Sequence, residues 1–216
     1  MRNKFDEQLE ILNVELIKMG ALCEEAIAFA AKKLFNEDNI PEDIIIEADK
    51  KIDQMERIIE ALCIKLILQQ QPVAKDLRMI SAAMKMISDM ERIGDQAYDI
   101  VDISRFITDT NIIGKVHIED MARATIKMVT DSINSFVDKD LELARKVIAD
   151  DDEVDMLFNK VKSEIVAFIQ TNSNMGEECL DMLMIAKYFE RIGDHATNIA
   201  EWVEYSMTGI YKGEYL

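Results

Sequence analysis

Glu91, Asp95, Asp99 and Asp102 stand at i, i+4, i+8 and i+11, a spacing that sets all four on one side of an α-helix. Glu190, Asp194, Asn198 and Glu201 repeat the ladder 99 residues later. A second acidic pair, Asp49 and Asp53, recurs as Asp151 and Asp155, 102 residues on. These acids do not belong to a far solvent side. Asp53 adjoins Ile52, Asp155 adjoins Val154, and Glu91 lies between Ile87 and Gly94, all on apolar seams. Like charges at i, i+4 destabilise an exposed helix by about 0.2–0.5 kcal/mol per pair. Beside a core, desolvation adds to that. A cation offsets both effects. Facing helices pack roughly 8–10 Å apart, so four carboxylates from two helices can enclose one or more ions. All-oxygen sites suit Mg²⁺, Ca²⁺, Mn²⁺ or iron.

The plain alternative is a set of ordinary acids in an acidic chain, paired with Arg92, Arg191 and nearby lysines. On that reading Asp150 to Glu153 form a helix N-cap cluster. The recurrence of both pairs in both halves favours the metal. His195 adjoins Asp194, but the first copy has Gln96 there, which makes His195 peripheral. His117 reads as a helix-start residue.

The elements that must carry these residues follow from the repeat itself. Glu91-Arg92-Ile93-Gly94-Asp95 returns letter for letter as Glu190 to Asp194, so the chain is two copies of one unit. Two prolines and seven glycines in 216 residues are too few for the turns of an all-β fold. Phe5, Leu9, Leu12, Leu16, Met19, Cys23, Ile27, Ala30 and Leu34 step by three or four and predict a first helix over about 3–35. Pro41 suits the first turn of a second helix, which carries Ile52, Met55, Ile59 and Leu66 and ends before Pro72. A third has Leu77, Ile80, Met84, Ile87, Gly94 and Val101 on its seam and fades near Thr108.

Thr108 to Gly114 is the expected boundary between halves. Three further helices follow, starting near Val116, through Val147 to Phe168, and from Leu183 to Val203. Thr171 to Gly176 breaks the chain where Gln71 and Pro72 did. The fold class is all-α: six long helices in two similar three-helix bundles, residues 1–110 and 115–216. Gly94 and Gly193 cost helix propensity, so their use is to let a neighbour come close.

Composition narrows the function. A net charge of −17 argues against nucleic acid and anionic membrane surfaces. The first ten residues lack the apolar core of a signal peptide, and no apolar run reaches a membrane span. Cys23, Cys63 and Cys179 form no CxxC pair and lie in helical apolar patterns, as expected for buried thiols in a reducing cytoplasm. No phosphate loop or nucleophile–base constellation is present.

ERIGDHATNIAE (Glu190 to Glu201) resembles the C-terminal signature of the PhoU family of phosphate-uptake regulators. ERIGDQAYDIVD (Glu91 to Asp102) resembles its N-terminal copy, and QQPVAKDLRMISAAMKMISDMERIGD resembles the middle of that family. The resemblance covers essentially the whole chain. It implies a cytoplasmic accessory protein, not an enzyme, that represses phosphate uptake and the phosphate-starvation response. Its partners would be the ATP-binding component of a phosphate transporter and a sensor histidine kinase, and its expected assembly is a homodimer. It also implies multinuclear metal clusters, with iron, zinc, manganese or magnesium as the candidate ions. By matching position, Asp49, Asp53, Glu91 and Asp95 form one site and Asp151, Asp155, Glu190 and Asp194 the other. Asp99 stands where the family often has Asn, which makes the first site more acidic. Two other classes remain. A ferritin-like di-iron enzyme would need Glu-x-x-His on two helices, which this chain lacks. A metal-free structural repeat would not need buried acids at equivalent places.

Overall fold

The computed structural model describes residues 2–35, 41–70, 72–107, 113 and 116–215. Six helices dominate it: α1 (Arg2–Leu34), α2 (Glu42–Gln70), α3 (Ala74–Ser104), α4 (Ile118–Asp138), α5 (Leu141–Thr171) and α6 (Gly176–Thr208). A 3₁₀ turn, Ser173–Met175, joins α5 to α6, and a short hairpin, β1 (Ile210–Tyr211) and β2 (Glu214–Tyr215), follows α6.

Local chemistry sets most of the ends. Asp140 caps α5 by accepting the Leu143 N–H at 3.0 Å, a cap typically worth about 1 kcal/mol. Gly209 ends α6 at φ 79°, its N–H donating to the Tyr205 carbonyl, the left-handed cap that glycine adopts without penalty. Lys212 and Gly213 both take positive φ, 50° and 83°. That is the two-residue turn whose twist matches paired strands. Tyr211 then stacks on Trp202 with centroids 4.0 Å apart, and Lys212 Nζ meets Glu201 at 3.0 Å, pinning the hairpin to α6.

α1, α2 and α3 form one bundle; α4, α5 and α6 form the other. The halves meet through α3 against α6, the most extensive helix contact, and through α1 against α4. Gly20 makes the second contact close: a Cβ there would fall 2.7 Å from Ile133 Cδ1. Cys23 Sγ donates to the Met90 carbonyl at 3.3 Å, and Thr125 Oγ1 to that of Met121 at 2.9 Å. The buried apolar residues of both halves form one continuous core, from Phe5 and Leu12 through Ile93 and Ile192 to Val203. Fully burying each large side chain there contributes roughly 1.5–3 kcal/mol.

The apolar stripes are where the sequence places them, and all three cysteines are buried thiols. The differences are local. Leu77, in the first turn of α3, is 44% exposed, and burial on this helix begins with Ile80. α3 ends at Ser104, short of Thr108, and the expected boundary from Thr108 to Gly114 lies outside the described residues except for Ile113. Asp150 to Glu153 are inside α5, not at its start, so they cap nothing. His117 does precede α4. Its backbone N–H and its ring Nδ1 both reach the Glu164 carboxylate, at 2.9 and 2.5 Å.

Candidate functional site

Two glycines decide how the acidic helices approach each other. At Gly94 on α3 a Cβ would fall 2.9 Å from Ile52 Cδ1 on α2; at Gly193 on α6 it would fall 3.3 Å from Val154 Cγ1 on α5. Ile52 precedes Asp53, and Gly94 precedes Asp95. The close approach therefore draws the two acidic pairs of each half together, by the same device in both.

In the first half the carboxylates feel one another. Partial burial pushes Asp49 above the usual carboxylate range, and Asp53, Asp95 and Asp99 push it further. Glu91 rises through burial and through Asp95, is relieved by Arg92, and is raised again by Glu56 and Asp53. Asp99 rises through burial and Asp95, and is relieved by the Tyr188 hydroxyl that donates to it and by Arg191. The counter-charges are exposed. Arg92 lies 3.1 Å from Asp95 and 3.4 Å from Glu91 with its side chain 59% exposed, and such pairs offset little. Glu56 is a member that the sequence reading omitted. It sits at i+3 from Asp53 and i+7 from Asp49, and accepts from Ser88 Oγ on α3 at 3.2 Å. The same helical spacing that selected the other acids could have selected it.

The second half repeats the cluster with fewer charges. Asp151 rises through burial, is relieved by the Thr197 hydroxyl, and is raised by Asp155, Asp152 and Glu190. Thr197 Oγ1 donates to it at 3.1 Å. Partial burial, Glu190, Asp151 and Asp155 push Asp194 up, while Lys187 relieves it. Lys187 also pairs with Glu190 and lies 5.4 Å from the Phe158 ring centre. Lys187 and Phe158 occupy the places that Ser88 and Glu56 hold in the first half. The first cluster is therefore the more negative.

The fourth rung of each ladder stands apart. Asp102 pairs with Arg105 and Glu201 with Lys212. Asp99 reaches across to α6 through Tyr188, and this contact has a mirror. Asp89 on α3 accepts from Asn198 Nδ2 at 3.2 Å and lies 2.9 Å from His195 Nδ1. Positions 89 and 188 are equivalent, as are 99 and 198. The α3–α6 seam thus carries two related but chemically different bridges, and His195 belongs to this seam.

The donor chemistry of both clusters suits a hard cation: all oxygen, mutually repelling and partly desolvated. Among the described residues, however, no group of three or more His, Cys, Asp or Glu side chains is placed to hold one metal ion.

A family model described as "PhoU domain" matches this chain twice, over residues 16–104 and 118–203. The chain is 35% identical over 215 residues to the "Phosphate-specific transport system accessory protein PhoU homolog" of Clostridium acetobutylicum, covering 96% of each. It is 29% identical over 208 residues to the "Phosphate-specific transport system accessory protein PhoU" of Escherichia coli K12, covering 95% of this chain and 86% of that one. Among solved structures, PhoU from Pseudomonas aeruginosa superposes with a TM-score of 0.88 at 31% identity, over 95% of this chain and all of that one. The phosphate transport system regulatory protein PhoU from Streptococcus pneumoniae superposes with a TM-score of 0.85 at 24% identity over 98% of this chain, a likeness of fold.

Proposed function

The chain belongs to the PhoU family, and from that premise we propose that it is an accessory regulator of phosphate transport that works by binding and not by catalysis. The observation that carries this is the match of both repeats, in order and over nearly the whole chain, to relatives named for that role. The regulation is negative: with phosphate plentiful, the protein restrains uptake and the starvation response. It does so in the cytoplasm, as a homodimer, by joining the ATP-binding component of the transporter to a sensor histidine kinase. No helix among the described residues is long and apolar enough to cross a membrane, which is consistent with an accessory role.

Each bundle offers a carboxylate cluster to metal: Asp49, Asp53, Glu91, Asp95 and Asp99 in the first, Asp151, Asp155, Glu190 and Asp194 in the second. A bound iron, zinc, manganese or magnesium ion supplies positive charge where the chain has an excess of negative. At −17 the chain's own field repels free phosphate, so a cation is what reverses the local sign for an anionic ligand. The carboxylates would hold it once their side chains turn to a common centre, which they do not share as placed here, while their helices fix their spacing. No Glu-x-x-His pair of the di-iron enzymes is present, which disfavours oxidase chemistry.

The test is a deletion strain. Phosphate-starvation genes should be expressed there even in phosphate-rich medium, and tagged protein should recover the ATP-binding component and the kinase at low salt but less at high salt. Normal repression in the deletion strain, with neither partner recovered, refutes the regulator reading.

A further inference from the structure

The outer face of α1 and α2 carries a groove of about 490 Å³, floored by Ala21, Leu22, Met55 and Ile58 with Lys18 and Lys51 at its edges. The second bundle has the same groove 102 residues later, between α4 and α5. There the chemistry differs. Arg123 stands where the first groove has Ala21, and Lys127 where it has Glu25; Lys160 is the counterpart of Ile58. One repeat has kept the groove apolar and the other has filled its place with charge.

A second asymmetry lies beside it. α1 has 33 residues and α4 has 21. α4 begins at Ile118, the counterpart of Leu16, so α1 reaches about three or four turns further N-terminal than α4 does. Ile11 and Val14 lie on that extension, 50% and 43% exposed. They share one side of α1 with Lys18, Leu22 and Glu25, since the steps are of three and four. Apolar knobs and an apolar groove therefore lie on one face, the knobs beyond one end of the groove.

We propose that this face pairs with the same face of a second copy of the chain. The two-fold axis passes beside Lys18, so that Ile11 and Val14 of each copy enter the groove of the other, against Leu22, Met55 and Ile58. The proposal deepens the homodimer reading above and rests on it.

Two arguments select a second copy as occupant. An isologous contact needs a patch complementary to itself, and a knob displaced from a groove along one face supplies that shape. The second argument is charge. A chain at −17 repels its own copy over most of its surface, but the groove floor is apolar and its two lysines hold Glu15 and Glu47 on their own helices, which keeps its rim close to neutral. Lys18 holds Glu15 on its own helix at 2.8 Å. A two-fold axis at this level brings each Lys18 within reach of the other copy's Glu15, so the pairs can exchange partners and leave no charge alone.

The experiment is the oligomeric state of the full chain, by sedimentation equilibrium, for the natural sequence and for Val14→Asp with Ile58→Glu. Both side chains are more than 40% exposed, so helix content and melting should be unchanged. The natural chain should dimerise, and the double variant should dissociate at least about tenfold more readily, as when a central contact is lost. Arg123→Ala in the equivalent groove should leave the dimer intact. A mixture of Val14→Cys and Ala21→Cys proteins should form the crossed disulfide in preference to either like pair, the native cysteines being buried.

A dimer that tolerates Val14→Asp with Ile58→Glu and forms no crossed disulfide overturns this face and leaves the homodimer standing. A natural chain that is monomeric throughout overturns both. So does a monomer whose double variant loses the transporter component, since the groove then belongs to that partner. Repression of starvation genes is scored separately: a monomeric variant that still represses leaves the regulator reading intact.

Discussion

Replacing Gly94 with alanine sets two known effects against each other. In a helix interior the change should stabilise by about 1 kcal/mol through propensity and chain entropy. At this site the new methyl would lie 2.9 Å from Ile52 Cδ1 and 3.3 Å from its Cγ2. Ile52 is 1% exposed, so its side chain has no open space to swing into, and overpacking of this kind costs about 1–3 kcal/mol. Gly94→Ala should therefore destabilise by about 0–2 kcal/mol. Ile52→Val removes the Cδ1 in question. Alone it should cost about 0.5–1.5 kcal/mol; on the Gly94→Ala background it should cost about 1 kcal/mol less. The second bundle contains that relieved arrangement naturally, with Val154 facing Gly193 at 3.3 Å, so Gly193→Ala should be neutral or slightly stabilising. Denaturant melts of the four proteins of the 94/52 cycle, followed by helical circular dichroism, measure the coupling. If Gly94→Ala gains the full propensity term and shows no coupling to position 52, the close approach of α2 and α3 does not exist as described.

Three further outcomes are expected. Exhaustive chelation should lower the melting temperature of protein purified with metal, since a cation bound only to the folded state stabilises it, and Glu91→Gln with Asp95→Asn should remove the first cluster's share; an unchanged melt with no metal by elemental analysis contradicts this. Metal titration should fill the first cluster before the second, because Glu56 is added there and Lys187 opposes the second; Glu56→Phe with Ser88→Lys should narrow the gap, and an unchanged order of filling refutes the charge argument. In metal-free protein the raised Asp49 carboxyl contributes stability that is present below the ordinary aspartate range and is lost as pH rises through its folded value; the stability of Asp49→Asn relative to the natural chain should therefore increase with pH, and a pH-independent difference would show that Asp49 titrates normally.

The helices and most of the acid clusters were legible in the sequence because both are periodic. Apolar steps of three and four mark buried stripes, and an i, i+4 pair beside such a stripe must face the neighbouring helix. What escaped lacks a period. Glu56 follows the helical spacing but has Phe158 as its counterpart, so a search for acids that recur in both halves discards it. Asp89 has Tyr188 in its equivalent place, and its partners lie on the far helix, which only the assembled fold reveals. Glu164 looks like any exposed acid until His117 is brought to it. The hairpin after Gly209 is six residues of ordinary composition, held by Tyr211 on Trp202. Leu77 was misplaced because periodicity extends a stripe into a helix's first turn, while burial on α3 begins only at Ile80. The three residues that distinguish the spacings of the two halves form part of α3 itself: Ala74 begins it about one turn further ahead of Glu91 than Gly176 stands ahead of Glu190.

The two bridges across the α3–α6 seam also determine which halves can pair. Asp89 meets Asn198, and Tyr188 meets Asp99. Two first halves brought together through the same contact would set Asp89 against Asp99 twice, four carboxylates with only the Gln96 amides, the counterparts of His195, to donate to them. Two second halves would set Tyr188 against Asn198, a neutral and tolerable match. The mixed pairing alone gives every carboxylate at the seam a donor. Charge thus disfavours the first half as a replacement for its own sister and favours unlike pairs. Joining the two in one chain makes permanent a choice to which the side chains already lean.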